Sequence, residues 1–460
     1  MTIQLTLKDS TLFGEDRPSK DYREATACIA AVDELARQFS NGKVKLLSLS
    51  SYHVSNNNEC PIWYEIISTI TAPKIDCVIP ATTIFYSSHY IGYCHIKDVS
   101  ITIFPRFGEK LLSYLLNYAC NLYIPHAKMS YHSLQSEQKN FLLMTLLWRA
   151  MLEKAINYGQ IPKQYITESK LIPNFKGHLD ISKHIHSSLV NNNQFYCSYR
   201  KLSYNNIINR TIRYTYSLLS KNNSGFSTAI EKINGYDSKL ASLGVDNIPV
   251  NVDEIDNIKY TKMNYIYKPV MNFSRIIISH KEVEQNGKNG NVEFSYFVDI
   301  AEIWELYLIK LLQKNLSPDY RVFSLNTGDG DSLFNSDYRK IRPDIIIERN
   351  GAVVMIIDAK YKNYRSFGRT AALGISTEDL YQMITYLYHY GYESKPIIGL
   401  FVAPVSNIIS NDINILKNKS NHKIGLLNLD IVSVGEDIPL LRNQEQIFIT
   451  SIKKLLTEIN

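Results

Sequence analysis

The sequence predicts an α/β fold for residues 291–460, a mixed central sheet flanked by helices, preceded by a mainly helical domain over 101–290 and a small α+β or β-rich module over 1–100. Three observations carry this reading. The apolar runs at 345–347 and 353–357 lack the alternation of half-exposed strands and suit central strands covered on both faces. Asn350-Gly351 between them admits the positive φ values of a tight turn, so the two runs read as a hairpin. Around it the order helix, strands, helix, strand fits an α/β layer architecture.

In chain order, residues 3–7 alternate as a short strand, 22–39 read as a helix, and 44–49, 62–70 and 77–79 as further strands. Residues 88–103 form a second hairpin turning at Lys97-Asp98; its His89 and His95 are read as packed or exposed strand residues, not as ligands. Amphipathic helices are expected at 110–122 and 135–157. Pro162, Pro173 and Gly177 interrupt what comes next, so 165–181 is expected to be irregular or extended. A helix beyond Asn209 carries Arg210 and Arg213 on one side, either to meet phosphates or a partner subunit or as a solvated face. The polar stretch 282–291 reads as an exposed linker and a domain boundary, and a helix from 294 to 313 opens the last domain.

Bulk properties narrow the classes. At 460 residues and 45% hydrophobic content the chain has enough material for two or three folded domains. A net charge of +6 suits a polyanionic partner without requiring one. Six cysteines without a CxxC pair indicate neither a zinc knuckle nor a disulfide framework, and no signal peptide or membrane-length apolar run is present, so a cytoplasmic protein without membrane partners is expected. Neither a GxxxxGK[ST] loop nor a GxGxxG turn occurs, so this chain is not expected to hydrolyse a nucleotide itself.

The chemistry concentrates at the open end of the first hairpin. Folding back at Asn350-Gly351 brings Asp344 toward Asp358, and Asp358 and Lys360, two apart on one strand, share a face. Two carboxylates and an ammonium suit phosphodiester hydrolysis with a divalent metal, the acids as hard oxygen ligands and the lysine stabilising the anion or orienting water. The plain alternative is a pair of charged strand ends. The metal reading makes a demand: a strict two-residue loop would pair Asp344 with Ile357 and send the acids to opposite faces, so the loop must be odd or the strand must bulge, with Gly351 a suitable bulge residue. The next helix is expected to be capped by Thr377, with Asp379, Gln382 and Tyr386 on one face at i, i+3 and i+7. The intervening loop carries Lys362, Arg365 and Arg369 with Tyr364 and Phe367, a mixture suited to backbone phosphates and base stacking.

Pro343-Asp344 followed by Asp358-Ala359-Lys360 resembles the PD-(D/E)xK nuclease superfamily, and Gln382-x-x-x-Tyr386 is similar to the extra helix motif of its RecB-like branch. More narrowly, Asp358-Ala-Lys360-Tyr-Lys362, a basic loop and Asp379-Leu-Tyr-Gln382-Met-x-x-Tyr386 resemble the McrC family, nuclease subunits of McrBC modification-dependent restriction systems. The likeness runs over roughly 100–460 through 101–123, Lys176-Gly177-His178-Leu-Asp180 and Asn209-Arg210. His178 departs from it, standing where an arginine is common, and residues 1–100 exceed the shortest members. The resemblance implies a Mg2+-dependent endonuclease (Mn2+ substituting) acting on methylated DNA. Asp344, Asp358 and Glu305 would hold metal, Glu305 because the first helix of such nucleases often supplies an acid. Lys360 would be catalytic, with Gln382 and Tyr386 in support. The implied partner is a hexameric McrB-like AAA+ GTPase that binds the GTP and docks on the middle domain. A self-sufficient restriction or repair nuclease, and an inactive adaptor that activates a GTPase, are the competing readings.

Overall fold

The computed structural model describes residues 3–9, 12–14, 45–47, 67–71, 83–87, 89–96, 99–120, 136–188, 194–221, 233–286, 295–325, 330–335, 339–361, 375–391, 395–404, 413–416, 421–431, 433–434 and 437–458. The chain forms two compact units, residues 1–140 with 289–460, and residues 141–288. Residues 101–120 fold with the two ends of the chain.

The first unit begins with β1 (Ile3–Lys8), β2 (Leu12–Gly14), β3 (Lys45–Leu47), β4 (Ile67–Thr71) and β5 (Thr83–Ser87), then the hairpin β6 (Tyr90–Ile96) and β7 (Val99–Phe104). β1 lies parallel to β7, β6 antiparallel to it, and β2-β5-β4 form a separate antiparallel sheet. The helix expected at 22–39 and the strand at 77–79 lie outside the described residues. α1 (Glu109–Cys120) follows, burying Leu111, Leu112, Leu115 and Leu116 on one helical face.

The second unit holds α2 (Ser136–Tyr158), β8 (Gln164–Ile172), β9 (His178–Leu179), α3 (Ile181–Ser188), β10 (Phe195–Ser203), α4 (Ile207–Lys221), α5 (Asn234–Ser242), α6 (Val252–Asp256) and α7 (Lys268–Asn286). Its regular elements are mainly helical, and β8, β10 and β9 add a three-stranded antiparallel sheet. Pro162 and Pro173 bound β8 rather than interrupt it, and its partner β10 begins more than twenty residues further on, beyond the reach of local pattern. Helix α7 continues to Asn286 through much of the expected linker. Arg213 pairs with Asp237 at 2.9 Å and Arg210 with Glu254 at 3.8 Å, so both arginines have partners inside this unit.

The chain re-enters the first unit with β11 (Ser295–Asp299) and α8 (Ile300–Leu316). Residues 295–299 of the expected helix form a strand instead: β11 inserts between β6 and β3, completing a mixed five-stranded sheet in the order β1-β7-β6-β11-β3. Its partners lie far back in the sequence, at Tyr90–Ile96 and Lys45–Leu47. Asp299 ends the strand and caps α8, accepting from the Ala301 N–H at 2.8 Å.

A second sheet carries the rest, with β12 (Arg321–Phe323), the small pair β13 (Asp331–Ser332) and β14 (Lys340–Ile341), β15 (Ile345–Arg349), β16 (Ala352–Ala359), α9 (Thr377–Tyr390), β17 (Ile398–Ala403), β18 (Ile413–Ile415), β19 (Lys423–Asn428) and α10 (Ile438–Thr457). The six-stranded order is β12-β15-β16-β17-β19-β18, parallel across β16-β17-β19 and antiparallel elsewhere. This is the mixed α/β core expected, with the hairpin strands central. β17 is buried at every position, and a Cβ on Gly399 would meet Met383 Sδ at 2.6 Å, so glycine lets α9 lie close on the sheet. Among the described residues no helix is long and apolar enough to cross a membrane.

Glu445 of α10 is buried and accepts from Tyr307 of α8 at 2.6 Å and Tyr114 of α1 at 3.0 Å, tying three helices together. Burial outweighs these hydrogen bonds and holds the carboxyl above its ordinary value of 4.5. The stability this group contributes is therefore fully present below that value and lost as pH rises through the raised one. Glu445→Gln keeps an oxygen acceptor without the charge. Thermal melts at pH 4 and pH 8 should show the variant gaining on the parent as pH rises, and a constant difference would contradict this.

Candidate active site

The register of the β15–β16 hairpin decides where the acids go. Ile345, Ile346 and Ile347 pair with Ile357, Ile356 and Met355, after which the ladder shifts so that Glu348 faces Val353 and Arg349 faces Ala352. Val354 is the extra residue of a β-bulge. Asn350 and Gly351 form the turn with φ of 52° and 79°. Continued one step outward from Ile345 and Ile357, the register beyond the bulge sets Asp344 across from Asp358 on one face of the sheet. The bulge that the sequence demanded is present, but at Val354, and Gly351 serves the turn instead.

Asp344 Oδ2 accepts from the Ala359 N–H at 2.8 Å. Burial, then the charges of Asp358 and Glu305 and a hydrogen bond to Asp358, push the Asp344 carboxyl well above the usual carboxylate range. Asp358 is itself buried. Lys360 Nζ stands 3.0 Å from Asp358 Oδ2 and 3.0 Å from Asp379 Oδ1. Burial works against its ammonium, but the two carboxylates outweigh it and hold the group above the ordinary lysine value. Although ion-paired, Asp358 Oδ2 makes no hydrogen bond of regular geometry, which leaves a buried carboxylate oxygen with coordinating capacity.

Helix α9 braces this corner. Its N-cap is Ser376, one residue before the expected Thr377, and Ser376 Oγ accepts from the Asp379 N–H at 3.1 Å. Gln382 Nε2 donates to Tyr386 OH at 2.8 Å, and that hydroxyl donates to the Arg342 carbonyl at 3.4 Å, two residues before Asp344. On the far side, Asp9, Arg106 and Tyr361 pack together. The Arg106 N–H donates to Asp9 Oδ1, and its guanidinium lies 4.5 Å over the ring of Tyr361, the residue after Lys360. The residue that follows the first strand thus packs beside Tyr361, next to Lys360.

Of the residues read from sequence, Asp344, Asp358 and Lys360 converge, and Tyr386, held by Gln382, meets the backbone leading to Asp344. Glu305, on α8, makes its charge felt at Asp344. Lys362, Arg365 and Arg369 lie outside the described residues. Among the described residues no three acids, histidines or cysteines are gathered as a ready-made metal cage. A pair of carboxylates nevertheless fits magnesium, which keeps several waters and takes one or two protein carboxylates together with substrate phosphate. Asp379 was not among the expected site residues. The signal was its place on the face of Gln382 and Tyr386.

These features define the chain as a mixed α/β protein with a buried acid–lysine site at the open end of a hairpin. Residues 86–398 match the family model for the McrBC 5-methylcytosine restriction system component, and the chain belongs to that family. The type IV methyl-directed restriction enzyme EcoKMcrBC of Escherichia coli (strain K12) is 22% identical over 311 residues, which cover 65% of this chain and 86% of that protein. A chain from the refined half-complex of the tetradecameric assembly of Thermococcus gammatolerans McrB AAA+ hexamers with bound McrC superposes with a TM-score of 0.52 at 16% identity, covering 96% of this chain and 98% of its own. The two chains share a fold. A cryo-EM structure of the Thermococcus gammatolerans McrBC complex is matched at 17% identity over 68% of this chain and 88% of its own, with a TM-score of 0.33.

Proposed function

We propose that this chain is the DNA-cutting subunit of a GTP-dependent restriction complex directed at methylcytosine, with a PD-(D/E)xK nuclease core. The observation that carries the reading is the convergence of Asp344, Asp358 and Lys360 at one buried corner. Asp344 and Asp358, with Glu305 nearby, would hold Mg2+ or Mn2+, which when bound supplies positive charge to the scissile phosphate and an activated water. Lys360 offers its ammonium to the charge that develops on the phosphate. Gln382 and Tyr386 steady the Arg342-Pro343 backbone and through it Asp344. Lys362, Arg365 and Arg369 would meet the DNA backbone, giving position rather than sequence choice.

The motor is a separate subunit in this reading, since the sequence has no phosphate-binding loop of its own. A McrB-like AAA+ hexamer would bind the GTP and seat the second unit, where Phe175, Ile181 and Ile185 stand exposed. The test incubates the purified chain with Mg2+ and methylated or unmethylated DNA, with and without the GTPase and GTP. Cutting of methylated DNA only in the full mixture is expected. Cutting by the chain alone would favour a self-sufficient nuclease, and GTPase stimulation without cutting would favour an inactive adaptor.

A further inference from the structure

We infer that Asp379 is a positioning residue for Lys360, holding the ammonium in place when a cation takes Asp358. This rests on the hydrolytic reading above and assigns a role to a carboxylate outside the motif that suggested it.

The geometry is a bridge. Lys360 Nζ is equidistant, at 3.0 Å, from one oxygen of Asp358 and one of Asp379. Asp379 is only 6% exposed and stands on a fixed element. Its N–H is held by Ser376, and its helix is fastened by Tyr386 to the Arg342 carbonyl and laid against Gly399 through Met383. The Lys360 backbone is fixed as well, its N–H bonding the Val402 carbonyl at 2.9 Å. Only the flexible four-carbon stem of the lysine is left to be positioned.

The chemistry needs such a holder. A carboxylate that ligates a divalent ion has less charge to offer a neighbouring ammonium, and the ion repels that ammonium directly. With Asp358 as its only counter-charge, Lys360 would compete with the ion for Oδ2 or swing away from the phosphate. Asp379 gives the ammonium a second anchor one helix away, so that lysine and ion can occupy the corner together.

A plain structural ion pair between α9 and the sheet would look the same at rest, but the two roles differ in coupling. In the full chain assembled with its GTPase partner, Asp379→Asn should lower kcat for cleavage about 10- to 100-fold, with KM for DNA within about 2-fold. Mn2+ binding to the full chain, read from the free-ion EPR signal, should weaken, and Asp379→Glu should restore part of both. In a Lys360→Met background, Asp379→Asn should add nothing further. Equal losses in both backgrounds, or wild-type cleavage and Mn2+ binding in Asp379→Asn, would overturn the inference. Should Asp379→Asn fail to give a cooperative melt, the same cycle run with Asp379→Glu moves the charge by one methylene and reads the same coupling. Failure of the underlying reading shows elsewhere: Asp358→Asn would then cleave and bind Mn2+ like the parent.

Discussion

Asp358→Asn is expected to lower DNA cleavage by about 10²–10³-fold or more, the scale of losing one preorganised electrostatic group, and to remove Mn2+ binding while the fold persists. The change is nearly isosteric, so the hairpin keeps its shape. Lys360 keeps its ion pair with Asp379, so no buried ammonium is stranded. Asp344 loses a facing charge, the largest contributor after burial to its raised carboxyl. The sign of the stability effect follows. A carboxyl raised on folding contributes stability that is full below the ordinary value of 3.8 and is lost as pH rises through the raised one. Relieving part of that rise makes the variant hold its own better at pH 8 than at pH 4. Cleavage assays, Mn2+ titration and melts at the two pH values check all three statements, and a variant that cuts at the parent rate would remove the site from consideration.

The elements around this site were legible where the information is local. Two unbroken apolar runs, an Asn-Gly turn and a polar stripe at helical spacing specify β15, β16 and α9 without reference to the rest of the chain. The demand for an odd loop or a bulge was legible too, since it follows from counting residues between Asp344 and Asp358. Its position was not, because Val354 carries no backbone signature and the shift is set by how the buried pairs at 345–347 and 355–357 pack. Distant pairing explains the larger misses. The Ser295–Asp299 segment is as compatible with the first turn of a helix as with a strand until β6 and β3 are brought to either side of it. Residues 101–120 join the first unit through distant contacts too, since α1 is joined to α8 and α10 through Tyr114, Tyr307 and Glu445.

Trp304→Ala destabilises the first unit by about 3–5 kcal/mol, the range for truncating a fully buried large aromatic side chain. Trp304 is completely buried on α8, its ring 5.7 Å from that of Tyr307. Its Nε1 points at the Val402 carbonyl, 3.4 Å away, the same oxygen that accepts from the Lys360 N–H at 2.9 Å. At 3.4 Å the indole bond is long, so most of what the side chain contributes is packing. Trp304→Phe separates the two parts. It keeps most of the ring and drops the N–H, while the carbonyl stays satisfied by Lys360, so a loss of about 0.5–1.5 kcal/mol is expected. Denaturant titration should therefore show a large fall in midpoint for Ala and a small one for Phe. If α8 serves the site only by packing against β17, the Phe variant also cuts at close to the parent rate. A Phe variant that is stable yet cuts slowly would mean that the shared acceptor at Val402 governs the placement of Lys360.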